Sequence, residues 1–208
     1  FKFSVASYNV LSQNLLETNK YLYKKCHPKH LSWQFRKNLL KEELSYYQPD
    51  IICMQEVHKN EFSRFFLPEL QKLGYFGLYK KRTSDKEDGC ATFFKHDKFL
   101  CMSSKPMEFH CKGVEVLNRD NVGLLMLLKP VEKLKDFRLC VANTHLLFNP
   151  KRGDVKLAQL MTLMAGIDDL TDGEEQAVVL CGDFNSQPRS GLYDFLLSGR
   201  LDCKDVAI

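Results

Sequence analysis

Four short apolar runs in this 208-residue chain break off in the same way, each into a cluster of amide, carboxylate or imidazole side chains. Residues 1–10 alternate Phe1, Phe3 and Val5 with polar positions and then read Ser7-Tyr8-Asn9. The run 51–54 is followed by Gln55-Glu56, the run 140–142 by Asn143-Thr144-His145, and the run 178–181 by Gly182-Asp183-Phe184-Asn185. Runs this short and this apolar belong to strands buried on both faces. Such strands need cover above and below, which demands a layered α/β protein. In layered α/β folds, ligands gather where strand ends from distant segments converge. Singly, each cluster has a plain structural explanation: Glu56 beside a helix start, His145 as a bonded interior histidine, Asn9 and Asn185 as turn holders. Four such endings together point to a site.

The segments between these runs complete the pattern. After Ser32-Trp33, the apolar positions Phe35, Leu39, Leu40 and Leu44 fall at helical spacing, and Gln48-Pro49-Asp50 ends that helix. A second helix is expected over about 61–73, closed by Gly74. Residues 75–79, 90–95, 99–103, 122–129 and 138–147 read as strands, with turns at Asp88-Gly89 and 118–121. Asp154 suits the N-cap of a helix whose apolar stripe is Leu157, Leu160, Met161 and Met164. A strand over 177–181 and a helix over 191–198 follow. With no repeat and no linker, one domain over 1–208 is expected. Helices set apart from a strand-rich middle favour an α/β sandwich over an alternating barrel.

Composition narrows the class further. At 44% hydrophobic and 27% charged, the chain is neither disordered nor fibrous. Its longest apolar run, 124–128, is far short of a membrane span, so no membrane partner is expected. It begins at Phe1 without a signal pattern, and residues 202–208 offer no helix or strand to close on, so it reads as part of something longer. Eight cysteines include no C-x-x-C pair, and Cys53, Cys140 and Cys181 sit inside apolar runs. Reduced thiols in the cytoplasm, and also the nucleus, are expected. Cys26-His27 with His30 lacks a fourth ligand at zinc-like spacing and reads as a basic surface loop.

Thirty basic residues against 26 acidic leave a net charge of +4, which alone names no partner. Distribution says more. Residues 18–41 carry Lys20, Lys24, Lys25, Lys29, Arg36, Lys37 and Lys41 with no carboxylate among them. Lys80-Lys81-Arg82 and Lys151-Arg152 form two more clusters. Each alone suits a solvated face; three beside the polar clusters point to phosphate. The residue types agree. One carboxylate can hold Mg²⁺, which keeps most of its waters. Neutral amides and an imidazole suit phosphate oxygens. No G-x-x-x-x-G-K-[ST] loop and no G-x-S-x-G elbow occurs. Metal-assisted attack of water on a phosphoester remains.

Ser7-Tyr8-Asn9, Gln55-Glu56, Asp88-Gly89, Asn143-Thr144-His145-Leu146 and Gly182-Asp183-Phe184-Asn185, in this order, resemble the exonuclease–endonuclease–phosphatase superfamily. Within it the chain is similar to the branch of CCR4-type deadenylases, nocturnin and Angel proteins. Tyr8-Asn9-Val10-Leu11-Ser12-Gln13, Asn118-Arg119-Asp120-Asn121-Val122-Gly123 and the stretch 143–157 favour Angel. The resemblance implies a four-layer α/β sandwich and Mg²⁺-dependent phosphoesterase chemistry, with Mn²⁺ as an alternative ion.

The resemblance also implies roles. Glu56 is the metal carboxylate, with Asn9 beside it. Asp183 orients or activates the attacking water, Asn185 donates to the developing charge, and His145 contacts phosphate. Asp88, Asn121 and Asn143 are supports or substrate contacts, and Lys151 and Arg152 reach an RNA phosphate. Superfamily members carry a Ser-Asp-His near the C-terminus. Here the six histidines are at 27, 30, 58, 96, 110 and 145, and none follows Asp183. The domain is therefore expected to be incomplete at its C-terminal end, its last strands missing. The implied substrates are RNA 3′ ends, and the implied protein partners regulate mRNA. Four readings stay open: hydrolysis of a 2′,3′-cyclic phosphate, which the Angel stretches favour; 3′→5′ deadenylation; dinucleotide phosphatase chemistry of the nocturnin type; and a non-catalytic RNA-binding module.

Overall fold

A computed structural model describes residues 1–132 and 137–201; Cys203 and the terminal stretch 202–208 lie outside the described residues. The chain runs β1 (Val5–Asn9), α1 (Gln13–Thr18), a 3₁₀ turn (Lys20–Tyr23), α2 (Pro28–Leu31), α3 (Trp33–Tyr47) and β2 (Ile51–His58). It continues through α4 (Lys59–Glu61), a π-helical turn (Phe62–Phe66) and α5 (Leu67–Lys72) into β3 (Tyr75–Lys81), β4 (Asp88–Lys95) and β5 (Phe99–Glu108). After a 3₁₀ turn (Glu115–Leu117) come β6 (Val122–Pro130), β7 (Leu139–His145), α6 (Gly153–Leu170), β8 (Ala177–Asp183) and α7 (Gly191–Ser198).

Two four-stranded sheets result, ordered β1-β2-β4-β3 and β5-β6-β7-β8. The pairs β1–β2 and β7–β8 are parallel and the others antiparallel. Side-chain alternation sorts the apolar runs into layers. Ile51 and Cys53 of β2 meet Met126, Leu128, Leu139 and Val141 between the sheets. Ile52 and Met54 point the other way, against Leu40 and Leu44 of α3, Phe66 and Leu70. On the far side, Leu125, Leu127, Cys140 and Ala142 pack on Leu160, Leu163 and Ile167 of α6. The order helix–sheet–sheet–helix is the expected four-layer sandwich. It explains why these strands carry no polar alternation until they reach the site.

Local signals explain several boundaries. Ser32 caps α3, its Oγ accepting from the Phe35 amide at 3.3 Å. Gln48 ends that helix in the left-handed region before Pro49. Other expectations shift. Leu39 is half exposed, and the buried stripe of α3 is Leu40 and Leu44. Asp88-Gly89 is no turn but the start of β4, with Asp88 buried. On α6 the buried face is Val155, Lys156, Gln159, Leu160, Leu163 and Ile167, while Met161 is half exposed. Two polar residues on the inner face hid its true phase from a hydrophobicity reading. The N-cap of α6 is Arg152, not Asp154, and Asp154 lies in the first turn, where a carboxylate suits the helix dipole.

Candidate active site

The strand β2 does not end at Met54. Its pairing with β4 shifts between Met54 and Val57, a bulge that carries Gln55 and Glu56. Bulges re-aim side chains. Here Glu56 takes φ +57°, a left-handed conformation costly for a residue with a side chain. Leu11 (φ +54°) and Asn185 (φ +48°) share it, and all three lie at one end of the sandwich. Strain of this kind persists where surrounding bonds over-determine the backbone.

Those bonds are present. Asn9, at the end of β1, donates from Nδ2 to Glu56 Oε1 at 2.8 Å and to Asp183 Oδ2 at 3.0 Å. One amide thus holds two carboxylates from different sheets. Asn9 Oδ1 accepts from the Leu11 amide, and Glu56 Oε2 from the Ser12 amide. Arg36 of α3 holds the same loop by donating to the Val10 carbonyl and, at 2.7 Å, to that of Leu11. Burial pushes this guanidinium's pKa down, and neighbouring Tyr23 and Glu56 oppose the shift. Arg36 is therefore a brace rather than part of a solvated basic face.

Parallel pairing of β7 and β8 sets His145 opposite Asp183, with Nε2 3.7 Å from Oδ2. The Asp183 Oδ1 accepts from the Asn185 amide at 3.0 Å. The Asn185 side chain donates to the Leu146 carbonyl at 3.0 Å, leaving one amide hydrogen for a ligand. Lys156 Nζ donates to the Asn185 carbonyl at 2.7 Å. Burial lowers the Lys156 pKa, and the Asp183 carboxylate pulls it back. Asn121 donates to the His145 carbonyl at 2.9 Å and accepts from Gln159. Gln159 in turn accepts from the Leu147 amide.

Two clefts meet at Asp183, Asn185 and Phe148. One, of about 540 Å³, is lined by Glu56, Arg82, Asn121 and His145. The other, of about 700 Å³, is lined by Asn9, Phe148, Pro150, Phe184 and Tyr193. Glu56, Asn9, Asp183, Asn185, His145 and Asn121 therefore converge. Asn143 does not reach a cleft wall. It is fully buried between the sheets, donating to the Met54 and Ala91 carbonyls and accepting from Gln55, so it supports the site from beneath. Asp88 is also buried, 3.5 Å from Arg82 Nη1. Lys151 is exposed, and the Arg152 guanidinium is held by Asp154 through two bonds at 2.8 and 2.9 Å. Neither stands among the residues lining these two clefts.

Sequence reasoning missed Lys156 and Gln159 as parts of the site, and it placed Arg36 and Arg82 only within basic clusters directed at phosphate. The signal for Lys156 and Gln159 was their placement on the inner face of α6, which only the corrected helical phase exposes.

The oxygen donors here are two carboxylates, Glu56 and Asp183, bridged by the Asn9 amide nitrogen. Among the described residues no group of three or more His, Cys, Asp and Glu could hold a metal. The pair of carboxylates fits a hard divalent cation that keeps its waters and takes one or two carboxylates.

A family model described as Endonuclease/Exonuclease/phosphatase family matches residues 6–206. Protein angel homolog 2 of Homo sapiens is 46% identical over 212 residues, covering all of this chain and 39% of the relative. The chain thus spans about two fifths of the length of this curated relative. Among solved structures, ANGEL2, described as a 2′,3′-cyclic phosphatase in complex with adenosine-2′,3′-vanadate, superposes with a TM-score of 0.93 at 46% identity. The match covers 99% of this chain and 61% of that one. The human Nocturnin catalytic domain with bound sulfate gives 0.74 at 28%, over 93% and 67%.

Proposed function

Because the chain belongs to the endonuclease/exonuclease/phosphatase family, we propose that its site hydrolyses phosphoesters at RNA 3′ ends, with a terminal 2′,3′-cyclic phosphate as substrate. The observation that carries the reading is the convergence of Glu56 and Asp183 on the Asn9 amide, with His145 beside Asp183. The choice of substrate is supported by the higher likeness to ANGEL2, whose bound adenosine-2′,3′-vanadate has the connectivity of such an end, than to Nocturnin.

Glu56, with Asn9 beside it, would hold Mg²⁺ or Mn²⁺. When bound, the ion would neutralise charge on the phosphate and the leaving oxygen. The chain's own groups do the rest. Asp183 holds the attacking water and accepts its proton. The oxygen adds to phosphorus, the bond from phosphorus to one ribose oxygen breaks, and that oxygen takes a proton from solvent to become a hydroxyl. His145 donates to a non-bridging phosphate oxygen, and the remaining Asn185 hydrogen to the growing negative charge. Asn121 and Lys156 position these two residues through their carbonyl oxygens. Arg82, on the cleft wall, adds positive charge where phosphate enters. The reading includes a cytoplasmic or nuclear setting, in keeping with Cys53, Cys90 and Cys140 as buried free thiols, and partners that regulate mRNA.

The test offers the full-length protein two RNAs, one ending in a cyclic phosphate and one in a free poly(A) tail. Metal-dependent opening of the cyclic end, lost in Glu56→Ala, is expected. Rapid shortening of poly(A) with the cyclic end untouched would overturn the substrate assignment. Salt-sensitive RNA binding without any product would overturn the enzymatic reading.

A further inference from the structure

The cleft that holds Glu56 and His145 has a second wall that the chemistry above does not use. It is formed by α1 and the 3₁₀ turn after it, through Leu15, Asn19, Tyr21, Leu22 and Tyr23. Tyr21 is 62% exposed and Leu22 64%. Past Tyr23 the chain continues through Lys24 and Lys25, both exposed. Most other basic groups near the site are already engaged. Arg36 is held by two carbonyls, Lys80 by Glu108, Lys81 by the Ser84 and Lys86 carbonyls, and Arg152 by Asp154. Among the described residues Lys24 and Lys25 form no ion pair, whereas Lys20 pairs with Glu17. No carboxylate occurs from residue 18 to residue 41.

An exposed aromatic ring beside unpaired lysines, continuous with a phosphate-directed cleft, is the construction of a single-strand track. The ring offers a face to any base, and the ammonium groups follow the backbone. We propose that the nucleotides 5′ to the terminal one lie on this shoulder, with a base stacked on Tyr21 and phosphodiesters against Lys24 and Lys25. The proposal rests on the RNA 3′-end reading and extends it. It makes the enzyme select a strand rather than a free nucleotide.

The experiment compares adenosine 2′,3′-cyclic phosphate with a five-nucleotide RNA ending in cyclic phosphate, both with the full-length protein. The wild type should favour the pentanucleotide by about tenfold in kcat/KM, mostly through KM, from stacking of one base. Tyr21→Ala, and Lys24→Gln with Lys25→Gln, should each pull that ratio toward one. The lysine pair should also flatten the salt dependence of the pentanucleotide KM, by roughly 0.7 in log–log slope per lysine. A merely structural effect would lower turnover of both substrates together and leave that slope alone. A wild-type ratio near one, or a ratio and slope unmoved by the variants, would overturn the proposal. If neither substrate is turned over, the reading of the chemistry fails separately. Fluorescence anisotropy of a labelled pentanucleotide then decides the shoulder. A Kd raised about tenfold by the lysine pair supports the track, and an unchanged Kd refutes it.

Discussion

Replacing Asn143 by Ala removes the amide that ties the two sheets beneath the site. Asn143 donates to the Met54 carbonyl at 3.1 Å, to that of Ala91 at 2.9 Å and to Thr92 Oγ1 at 3.2 Å, and it accepts from Gln55 Nε2 at 2.8 Å. In the variant, Gln55 Nε2 keeps the Cys53 carbonyl and Ser7 Oγ, so it is not orphaned. The Met54 and Ala91 carbonyls, on paired and buried positions of β2 and β4, each lose a donor from the facing sheet. Each buried hydrogen bond removed costs about 0.5–1.5 kcal/mol, so the loss of these inter-sheet bonds is expected to cost about 3 kcal/mol. For a domain of this size that lowers Tm by about 6–12 °C. Urea unfolding followed by circular dichroism should show a lower midpoint with an unchanged m-value. The folded fraction should keep its KM, because the side chain touches no ligand space. A stability change under about 0.5 kcal/mol, or a tenfold rise in KM at unchanged stability, would refute the assignment of Asn143 as an inter-sheet brace.

Glu56→Gln keeps the size and the Asn9 partner but removes the charge. Turnover should fall by about 10²-fold or more, and calorimetric titration should show weakened Mg²⁺ binding. Gly182→Ala places a Cβ against the Thr144 carbonyl oxygen. It must force β8 away from β7 beside Asp183, with a stability loss of about 2 kcal/mol and a kcat loss of about 10²-fold. The pKa of Asp50 is lowered: burial would raise it, but the Lys98 ammonium at 2.8 Å and the Ser4 amide and hydroxyl outweigh that effect. A depressed carboxyl contributes stability above its unfolded value near 3.8 and loses it as pH falls through the folded value. Asp50→Asn should therefore flatten the acid limb of the stability–pH curve below about pH 4. An unchanged acid limb in thermal melts would remove Asp50 from that role.

By itself, the sequence determined the layers and the set of polar residues at the strand ends. Apolar runs such as 51–54 and 140–142 have no polar alternation because each strand packs against a helix on one face and a sheet on the other. Strand existence and order follow from that local pattern. Asn9, Glu56, His145, Asp183 and Asn185 stood out in the sequence because four apolar runs end in such donors, in an order that resembles the superfamily, and the fold brings them together. What only the tertiary structure decided is which polar residues face a ligand. Asn143 and His145 sit two residues apart on one strand. Asn143 is sealed between sheets, and His145 lies in the cleft. Asp88 looked like a turn but is buried behind Arg82. Arg36 stood in a basic cluster and Lys156 lay outside the expected apolar stripe of its helix, yet both brace backbone at the site. The bulge at Glu56 and the left-handed backbone at Leu11 and Asn185 carry no local sequence signature. They are imposed by hydrogen bonds between segments up to 174 residues apart, such as that from Asn9 to Asp183. Long-range bonds of this kind exist only once the sheets have packed.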